Sequence, residues 1–177
     1  MAGLTKDELY ALIIKNPEEY AGLKKTIEES DLSELDFSGN TLSEVDFSNA
    51  DLTGTNFSEC QITECKFVNC DLTSADFARA SIVECDFSES LLNGTDFSYA
   101  KVNFCNFSDA DMAGAVFNES DLSDSDFAAS ENMNAIRFDE ETVFPEVDML
   151  PDDFDSTYTR DLSSLEDDED DSGQGEY

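Results

Sequence analysis

Five cysteines carry the most reactive side chains in this sequence, and all of them occupy positions that are multiples of five. They are Cys60, Cys65, Cys70, Cys85 and Cys105. Thiolates can act as nucleophiles, form disulfides or bind zinc. The chain contains no histidine, which removes the usual partner of a catalytic cysteine or serine and a common metal ligand. The sequence therefore predicts no catalytic residue, no metal site and no cofactor.

Carboxylates are the other abundant reactive groups. The chain has 43 acidic and 9 basic residues among 177, a net charge of -34. Paired carboxylates perform acid–base catalysis where a pocket shifts a pKa, and nothing in the sequence pattern indicates such a pocket. Binding to nucleic acid requires Lys and Arg to neutralise phosphates. The composition therefore argues against an enzyme and against direct nucleic acid binding, and it favours a protein partner with a basic surface.

One rule determines where these side chains lie, because every fifth residue from Leu32 to Phe127 is apolar. We call these twenty residues the centres; Phe occupies every second one. A small residue usually stands two places before each centre, and all five cysteines take that place. Neither a helix nor a strand fits a period of five, whereas a coil with four five-residue sides turns each centre and each small residue inward. Two internal columns of rings are then expected from Phe37, Phe47, Phe57, Phe67, Phe77, Phe87, Phe97, Phe107, Phe117 and Phe127.

The repeated motif is a small residue, Asp or Asn, Leu or Phe, and two polar residues, as in residues 50–54 and 75–79. It resembles the motif of the pentapeptide-repeat family. The resemblance implies an all-β solenoid, a right-handed quadrilateral β-helix, here with about five coils and a length of ~24 Å. Residues 20 positions apart then stack. A row of stacked thiols cannot surround zinc tetrahedrally, and the cytoplasm keeps thiols reduced, so we expect buried free cysteines.

The first segment, residues 1–29, is predicted to be an N-terminal helical cap. Thr5 and Glu8 have the spacing of a capping box. Asn16 and Pro17 then restart a second short helix, because proline is favoured at the first helical position. Two such helices would cover the open end of a solenoid.

Three further segments follow the cap. Residues 30–130 form the predicted β-helix, and residues 131–154 are predicted to form a C-terminal cap and turn, because Asn132 falls where a centre belongs. The five-residue spacing is expected to resume one place late, at Met133, Phe138 and Val143. Residues 155–177 form an acidic tail that we predict to be disordered, either solubilising the protein or folding onto a basic partner. No export signal or membrane span is evident, so we expect a cytoplasmic protein.

The outward positions contain two features that could bind a protein partner. One is a row of acidic residues on one lateral face, which Phe104 interrupts: Glu44, Glu64, Glu84 and Asp124. The other is a group of outward apolar residues, of which we select Val83, Tyr99 and Phe104 as candidate contacts. An aromatic pair surrounded by carboxylates is typical of a binding hot spot. Alternatively, the C-terminal segment folds back and covers them through Met149, Leu150, Phe154 or Tyr158.

Two functions follow from these features. The first is a non-enzymatic protein-binding module or scaffold that uses its acidic surface. The second is a DNA mimic, because stacked carboxylates could imitate phosphates that recur at about 3.4 Å per strand. Some pentapeptide-repeat proteins bind type II topoisomerases such as gyrase in this way; this chain lacks the long loop and the apolar C-terminal helix that some of them have. The aspartates also have a simpler explanation in turn hydrogen bonding and solubility. The oligomeric state is left open.

Overall fold

The repeat region forms a parallel β-structure in which the pairing step is 20 residues. The computed structural model describes residues 4–24 and 31–155. The elements, in chain order, are helices α1 (Lys6–Lys15) and α2 (Pro17–Lys24), strands β1 (Thr41–Ser43), β2 (Gln61–Thr63), β3 (Ser81–Val83) and β4 (Lys101–Asn103), and two 3-10 turns (Met133–Ala135 and Val147–Met149). The four strands form one parallel sheet in the order β1-β2-β3-β4. Isolated parallel bridges between repeats follow the same step, as in Asp36 to Asn56, and it lengthens only where the last repeats pair with Arg137 and Val143. We call each successive 20-residue segment from Asp31 a layer.

The core consists of the twenty centres, each at most 1% exposed. The phenylalanines form two columns in which rings 20 residues apart stack, with centroids 4.5–5.2 Å apart. Rings of the two columns meet edge to face at 5.7–6.3 Å. Both geometries are favourable for aromatic pairs. The alternation of Phe with aliphatic centres therefore keeps successive layers in register.

The aspartates that precede many centres form Asx turns, in which the side chain accepts a hydrogen bond from the backbone. In thirteen repeats the Oδ1 of Asp or Asn accepts a hydrogen bond from the backbone N–H two residues later, at 2.8–3.2 Å. Asp36 is an example, and its hydrogen bonds from Ser38 lower the pKa of the carboxyl. This Asx turn occurs where the chain must leave a strand position. These carboxylates therefore serve the geometry of the corners.

The two N-terminal helices begin with reciprocal caps. Thr5 accepts a hydrogen bond from the Glu8 N–H, and the Glu8 carboxylate accepts one from the Thr5 N–H, so the expected capping box is present. At the second helix, Asn16 Oδ1 accepts from the Glu19 N–H at 3.3 Å, while Asn16 Nδ2 donates to the Glu19 carboxylate at 2.7 Å. Both helix starts are therefore determined by the residue types that mark them in the sequence.

The helices pack against the first layer. The Tyr10 ring lies 5.0 Å from Phe37, and the Tyr20 ring lies 6.4 Å from Phe47, so each tyrosine extends one phenylalanine column. Lys6 Nζ lies 2.7 Å from a carboxylate oxygen of the first aspartate in the repeats. These contacts shield the rings of the first layer from water.

Beyond Ser130 the hydrogen-bonded ladder continues, but each side becomes one residue longer. The N–H groups of the last four centres donate at 2.8–3.0 Å to the carbonyls of Glu131, Arg137, Val143 and Met149. These acceptors are six residues apart, whereas the corresponding acceptors within the repeats are five apart. The chain therefore adds a sixth, wider layer over the fifth.

This wider layer corrects the expectation that Val143 resumes the buried five-residue spacing. Val143 is 49% exposed. The next residue, Phe144, turns inward and packs edge to face on Phe138 at 5.0 Å, with Phe154 at 5.1 Å from Phe144. Met133 is buried as expected. The physical reason is that one extra residue per side moves the inward position forward by one at each corner.

Three segments named in the sequence analysis extend beyond the described residues. Residues 1–3 and 25–29 of the predicted helical segment, residue 30 of the predicted β-helix and residues 156–177 of the acidic tail lie outside them. Within the described ranges, neither helix has the length and apolar character needed to cross a bilayer.

Replacing a central ring should test how far the phenylalanine columns stabilise the fold. We expect Phe77→Ala to lower the free energy of unfolding by about 3–5 kcal/mol, because Phe77 is fully buried. Phe104→Ala is the matched control; that ring is 61% exposed, so the change should stay within about 0.5 kcal/mol. Urea denaturation followed by circular dichroism measures both, and equal losses would contradict the assignment of the core.

Candidate protein-binding surface

One face of the solenoid carries the predicted acidic residues in a single line. Glu44, Glu64, Glu84 and Phe104 each follow directly after β1, β2, β3 and β4, and Asp124 continues the line in the fifth layer. We call these five residues the acidic row. Since the strands pair in register, neighbouring members lie one layer apart, or ~4.8 Å. All five side chains are exposed.

Phe104 is the most exposed aromatic side chain in the described part of the protein. It is 61% exposed, and it is flanked along the acidic row by Glu84 and Asp124. Val83, in contrast, is half-buried and pairs with Asn103 beside the row. Phe154 packs against the rings of the wider sixth layer. The described C-terminal residues therefore leave the Phe104 ring open to solvent.

The backbone N–H of Phe104 is also exceptional. The residue two places after a centre donates its N–H to an acceptor one layer further in every repeat from Glu34 to Glu119, except at Phe104. Along the acidic row, Glu64 donates to the Val83 carbonyl at 3.0 Å. Phe104 N–H has no acceptor among residues 31–155. An exposed ring and an open backbone donor therefore lie on the same residue.

A change of turn type accompanies this open donor. In the fifth layer the Ser125 N–H donates to the Leu122 carbonyl at 3.1 Å, which closes a hydrogen-bonded turn. The four corners beneath it do not make this bond. They use a left-handed residue, with φ between 53 and 57 along the acidic row from Glu44 to Phe104, whereas Asp124 lacks the positive φ. The open donor of Phe104 therefore lies directly beneath the corner of the acidic row where the backbone conformation changes.

Tyr99 lies in a neighbouring row, and its surroundings differ from those of Phe104. The Arg79 guanidinium lies 4.8 Å from the centre of the Tyr99 ring. A hydrogen bond to Glu119 raises the pKa of the Tyr99 hydroxyl above its ordinary value, and the negative charge of Glu119 adds to the shift. No ring contact joins Tyr99 to Phe104 in the described structure. The expected aromatic pair is therefore two separate aromatic sites.

The cysteines lie in the interior, and all five are free and buried. On three sides the N–H of the inward small residue closes a turn, as in Cys60 N–H to the Phe57 carbonyl at 3.2 Å. At the corners of the strand-bearing side, a side chain one layer further accepts this N–H instead. Ser125 Oγ accepts from the Cys105 N–H at 3.1 Å. The N–H groups of Cys65 and Cys85 face the sulfur atoms of Cys85 and Cys105, where hydrogen bonding to the thiolate acts to lower the pKa.

The thiols of Cys60, Cys65 and Cys85 are poor nucleophiles, because their pKa values are raised. A hydrogen bond to Cys105, together with burial, raises the pKa of Cys85 to about 12, and burial raises the pKa of Cys60 to about 11. The hydrogen bond between Cys65 and Cys85 raises the pKa of the Cys65 thiol. The pKa of Cys105, which accepts from Cys85, is lowered. The described residues contain no cluster of three or more Cys, Asp or Glu placed to hold a metal ion. The thiol column is thus arranged for hydrogen bonding within the core.

Sequence reasoning missed three features of this surface and its support. These are the thiols as acceptors of buried N–H groups, the guanidinium on the Tyr99 ring, and the open N–H of Phe104. The acceptor role of the thiols could have been predicted from the sequence, because Ser125 belongs to the same 20-residue series as Cys65, Cys85 and Cys105. These four residues all carry an atom on Cβ, Sγ or Oγ, that can accept a hydrogen bond.

Removing the sulfur atom of one cysteine should show whether its role as a hydrogen-bond acceptor contributes to the stability of the protein. We expect Cys85→Ala to destabilise the protein by about 1–3 kcal/mol, because the buried Cys65 N–H loses its acceptor. Cys85→Ser should retain most of the stability, since Ser125 already serves in this way. Cys60→Ala removes the same volume but leaves no buried N–H without an acceptor, so the loss of stability should be smaller. Thermal unfolding of the three variants provides the comparison, and equal effects of Cys85→Ala and Cys60→Ala would refute the role.

The Tyr99 hydroxyl offers a test by titration. Glu119→Gln removes the nearby negative charge, so the pKa of Tyr99 should fall toward its ordinary value. Glu59→Gln, in the same row but two layers from Tyr99, should leave that pKa unchanged. The ring carbon signals of Tyr99 in NMR spectra recorded across the alkaline range report the result. An unchanged Tyr99 titration in Glu119→Gln would show that Glu119 does not bond the hydroxyl.

Comparison with known proteins identifies the repeat. A family model for pentapeptide repeats in eight copies matches residues 30–69, and a model for a pentapeptide repeat region matches residues 60–138. A search of curated protein sequences finds no match.

Solved structures with similarity to this chain are pentapeptide-repeat proteins or a resistance protein. One, from the Arabidopsis thaliana thylakoid lumen, is 33% identical over 62% of this chain and 72% of its own, with a TM-score of 0.27. HetL, involved in heterocyst differentiation regulation in Nostoc sp. PCC 7120, is 20% identical over 64% of this chain and only 58% of its own, with a TM-score of 0.27. QnrB1, a plasmid-mediated fluoroquinolone resistance protein, is 21% identical over 71% of this chain and 83% of its own, with a TM-score of 0.26.

The assignment rests on the repeats themselves, since the TM-scores are too low to support an argument from shape. Together the two family models cover residues 30–138, more than half of the 177-residue chain. The chain belongs to the pentapeptide-repeat family, and its β-structure is the β-helix that the five-residue period predicts.

Proposed function

We propose that this protein is a non-enzymatic binding module, a scaffold that presents the acidic row to a protein partner with a basic surface. The observation that carries the proposal is the 61% exposure of Phe104 within a line of carboxylates. An exposed aromatic ring with a charged rim has the composition of a protein-binding hot spot. Tyr99 and Val83 lie at its borders as secondary contacts.

The proposal includes a rigid shape. We infer a right-handed, four-sided shaft of about five coils, with α1 and α2 as a cap at one end and residues 131–154 as a cap at the other. The 20-residue pairing step and the packing of Tyr10 and Tyr20 on the first rings support this inference. A partner would therefore meet a preorganised surface and lose little binding free energy to ordering it.

Catalysis, a cofactor, direct nucleic acid binding and membrane contact are not part of the proposal. The acidic row lies on an outward face, and the thiols are used inside the core, so no described group combines a pocket with a poised nucleophile. A net charge of -34 repels phosphates and anionic lipid headgroups alike. We place the protein in the cytoplasm, in keeping with its free cysteines.

A DNA mimic that inhibits or protects a type II topoisomerase such as gyrase is the second candidate. Three successive carboxylates, Glu44, Glu64 and Glu84, favour it because they recur at a constant step. Two observations weigh against it. Phe104 interrupts the line, and the aspartates on the other sides use one carboxylate oxygen in Asx turns.

Affinity capture from the native host with matched variants tests the proposal. Glu64→Lys combined with Glu84→Lys reverses the acidic row, and Glu89→Lys combined with Asp109→Lys makes the same charge change at the same step in another row. We expect the basic partner to be retained by wild type and by the second pair, and to be lost with the first pair and with Phe104→Ser. Quantitative mass spectrometry of the retained proteins measures the result.

The same variants separate the two candidates. A scaffold should lose its partner on Phe104→Ser at all salt concentrations, because the ring supplies apolar contact. A DNA mimic should inhibit gyrase supercoiling in a salt-sensitive way, and both charge-reversed pairs should weaken that inhibition. Identical retained proteins for wild type, Phe104→Ser and the first pair would show that the acidic row is not the binding surface.

A further inference from the structure

The row that contains Tyr99 shows how this solenoid accommodates a cation on an outward ring. Arg79 lies one layer before Tyr99, with its guanidinium 4.8 Å from the ring centre. Glu119 lies one layer after Tyr99 and accepts a hydrogen bond from its hydroxyl. The attraction of a guanidinium to an aromatic face stabilises the contact between Arg79 and Tyr99.

The acidic row contains the same arrangement without the cation. Phe104 occupies the same place in its repeat as Tyr99, with φ of 57 against 62. Glu84 stands where the Tyr99 row has Arg79, and Asp124 stands where it has Glu119. The ring is more exposed than that of Tyr99, 61% against 47%. Neither Glu84 nor Asp124 forms an ion pair with a residue in the described ranges, so an aromatic face lies between two uncompensated carboxylates.

The backbone adds a separate observation. Phe104 N–H is the one donor of its series from Glu34 to Glu119 that finds no acceptor in the described structure. A partner's carbonyl oxygen could satisfy this group at the edge of the ring. The site thus offers a π-face, two anionic acceptors and one backbone donor on a single small area.

We propose that Phe104 receives an arginine side chain from the partner, so that the recognised element is an arginine-containing basic segment of a protein. Arginine fits better than lysine, because a planar guanidinium stacks on the ring while its edge donates to Glu84 and Asp124. The partner's backbone carbonyl next to that arginine accepts from the Phe104 N–H. This inference rests on the proposed function and specifies what its partner presents.

Short peptides provide defined probes. Three capped glycine–serine peptides that differ only in the central residue, arginine, lysine or citrulline, are titrated into the full-length protein and followed by NMR. The arginine peptide should shift the Phe104 amide and ring signals. The lysine peptide should bind about two- to fivefold more weakly, and citrulline, which is neutral with nearly the same shape, should leave these signals in place.

Variants of the protein locate the bound cation. Glu84→Arg places an arginine one layer before Phe104, as Arg79 stands before Tyr99, and should abolish binding of the arginine peptide by occupying the ring. Glu89→Arg makes the same change of charge in the same layer on another side, and should reduce affinity only slightly. Phe104→Leu keeps apolar surface but removes the π-face, and should weaken binding about two- to fivefold.

The outcomes distinguish this inference from the proposed function. Equal binding of arginine and lysine peptides, no shift at Phe104, or equal effects of Glu84→Arg and Glu89→Arg would each overturn the arginine site. If Phe104→Ser still releases the captured partner, the binding module stands without it. If capture is also indifferent to Phe104→Ser and to reversal of the acidic row, the proposed function itself fails.

Discussion

The stacking of each buried centre on the residue 20 positions later is the interaction on which the rest of the structure depends. It brings the Phe rings to 4.5–5.2 Å from one another, close to the natural spacing of strands. The same step necessarily aligns the outward side chains in rows and the inward cysteines in a column. The arrangement of the surface and that of the interior therefore follow from the same 20-residue step, and each residue has a defined position in it.

Much of this organisation could be predicted from the sequence, because burial repeats at the same interval as the residues. The twenty centres, the inward position of the cysteines and the corner role of aspartate all depend on local spacing. Turn type could not be predicted in this way. Some corners close their own hydrogen bond, as at Cys60, and others leave the N–H to a side chain above, as at Cys105, although the outward residue before each has the same left-handed φ. The packing of Phe144 against the core could not be predicted either, because the wider layer follows a six-residue period that no other described segment uses.

The acidic character of the protein has two physical origins, and only one of them concerns binding. Within the repeats, most aspartates accept a hydrogen bond from the backbone N–H two residues later, so these charged groups have a structural role. The glutamates of the acidic row make no such bond, and their carboxylates remain free to meet a partner. Phe104 lies among this second group, at the point where the backbone changes its turn. Function is thus indicated where a side chain and the backbone depart from the repeat together.

The wider sixth layer has a consequence for assembly in solution. A parallel ladder that ends on unpaired groups can template another copy of itself, and repeated addition would produce fibres. The first layer of any second molecule offers groups five residues apart, whereas the last layer presents groups six residues apart. The two edges can match at one corner but drift out of alignment at the next. The added residues therefore oppose end-to-end pairing of two solenoids, alongside helices α1 and α2, which already pack over the first layer.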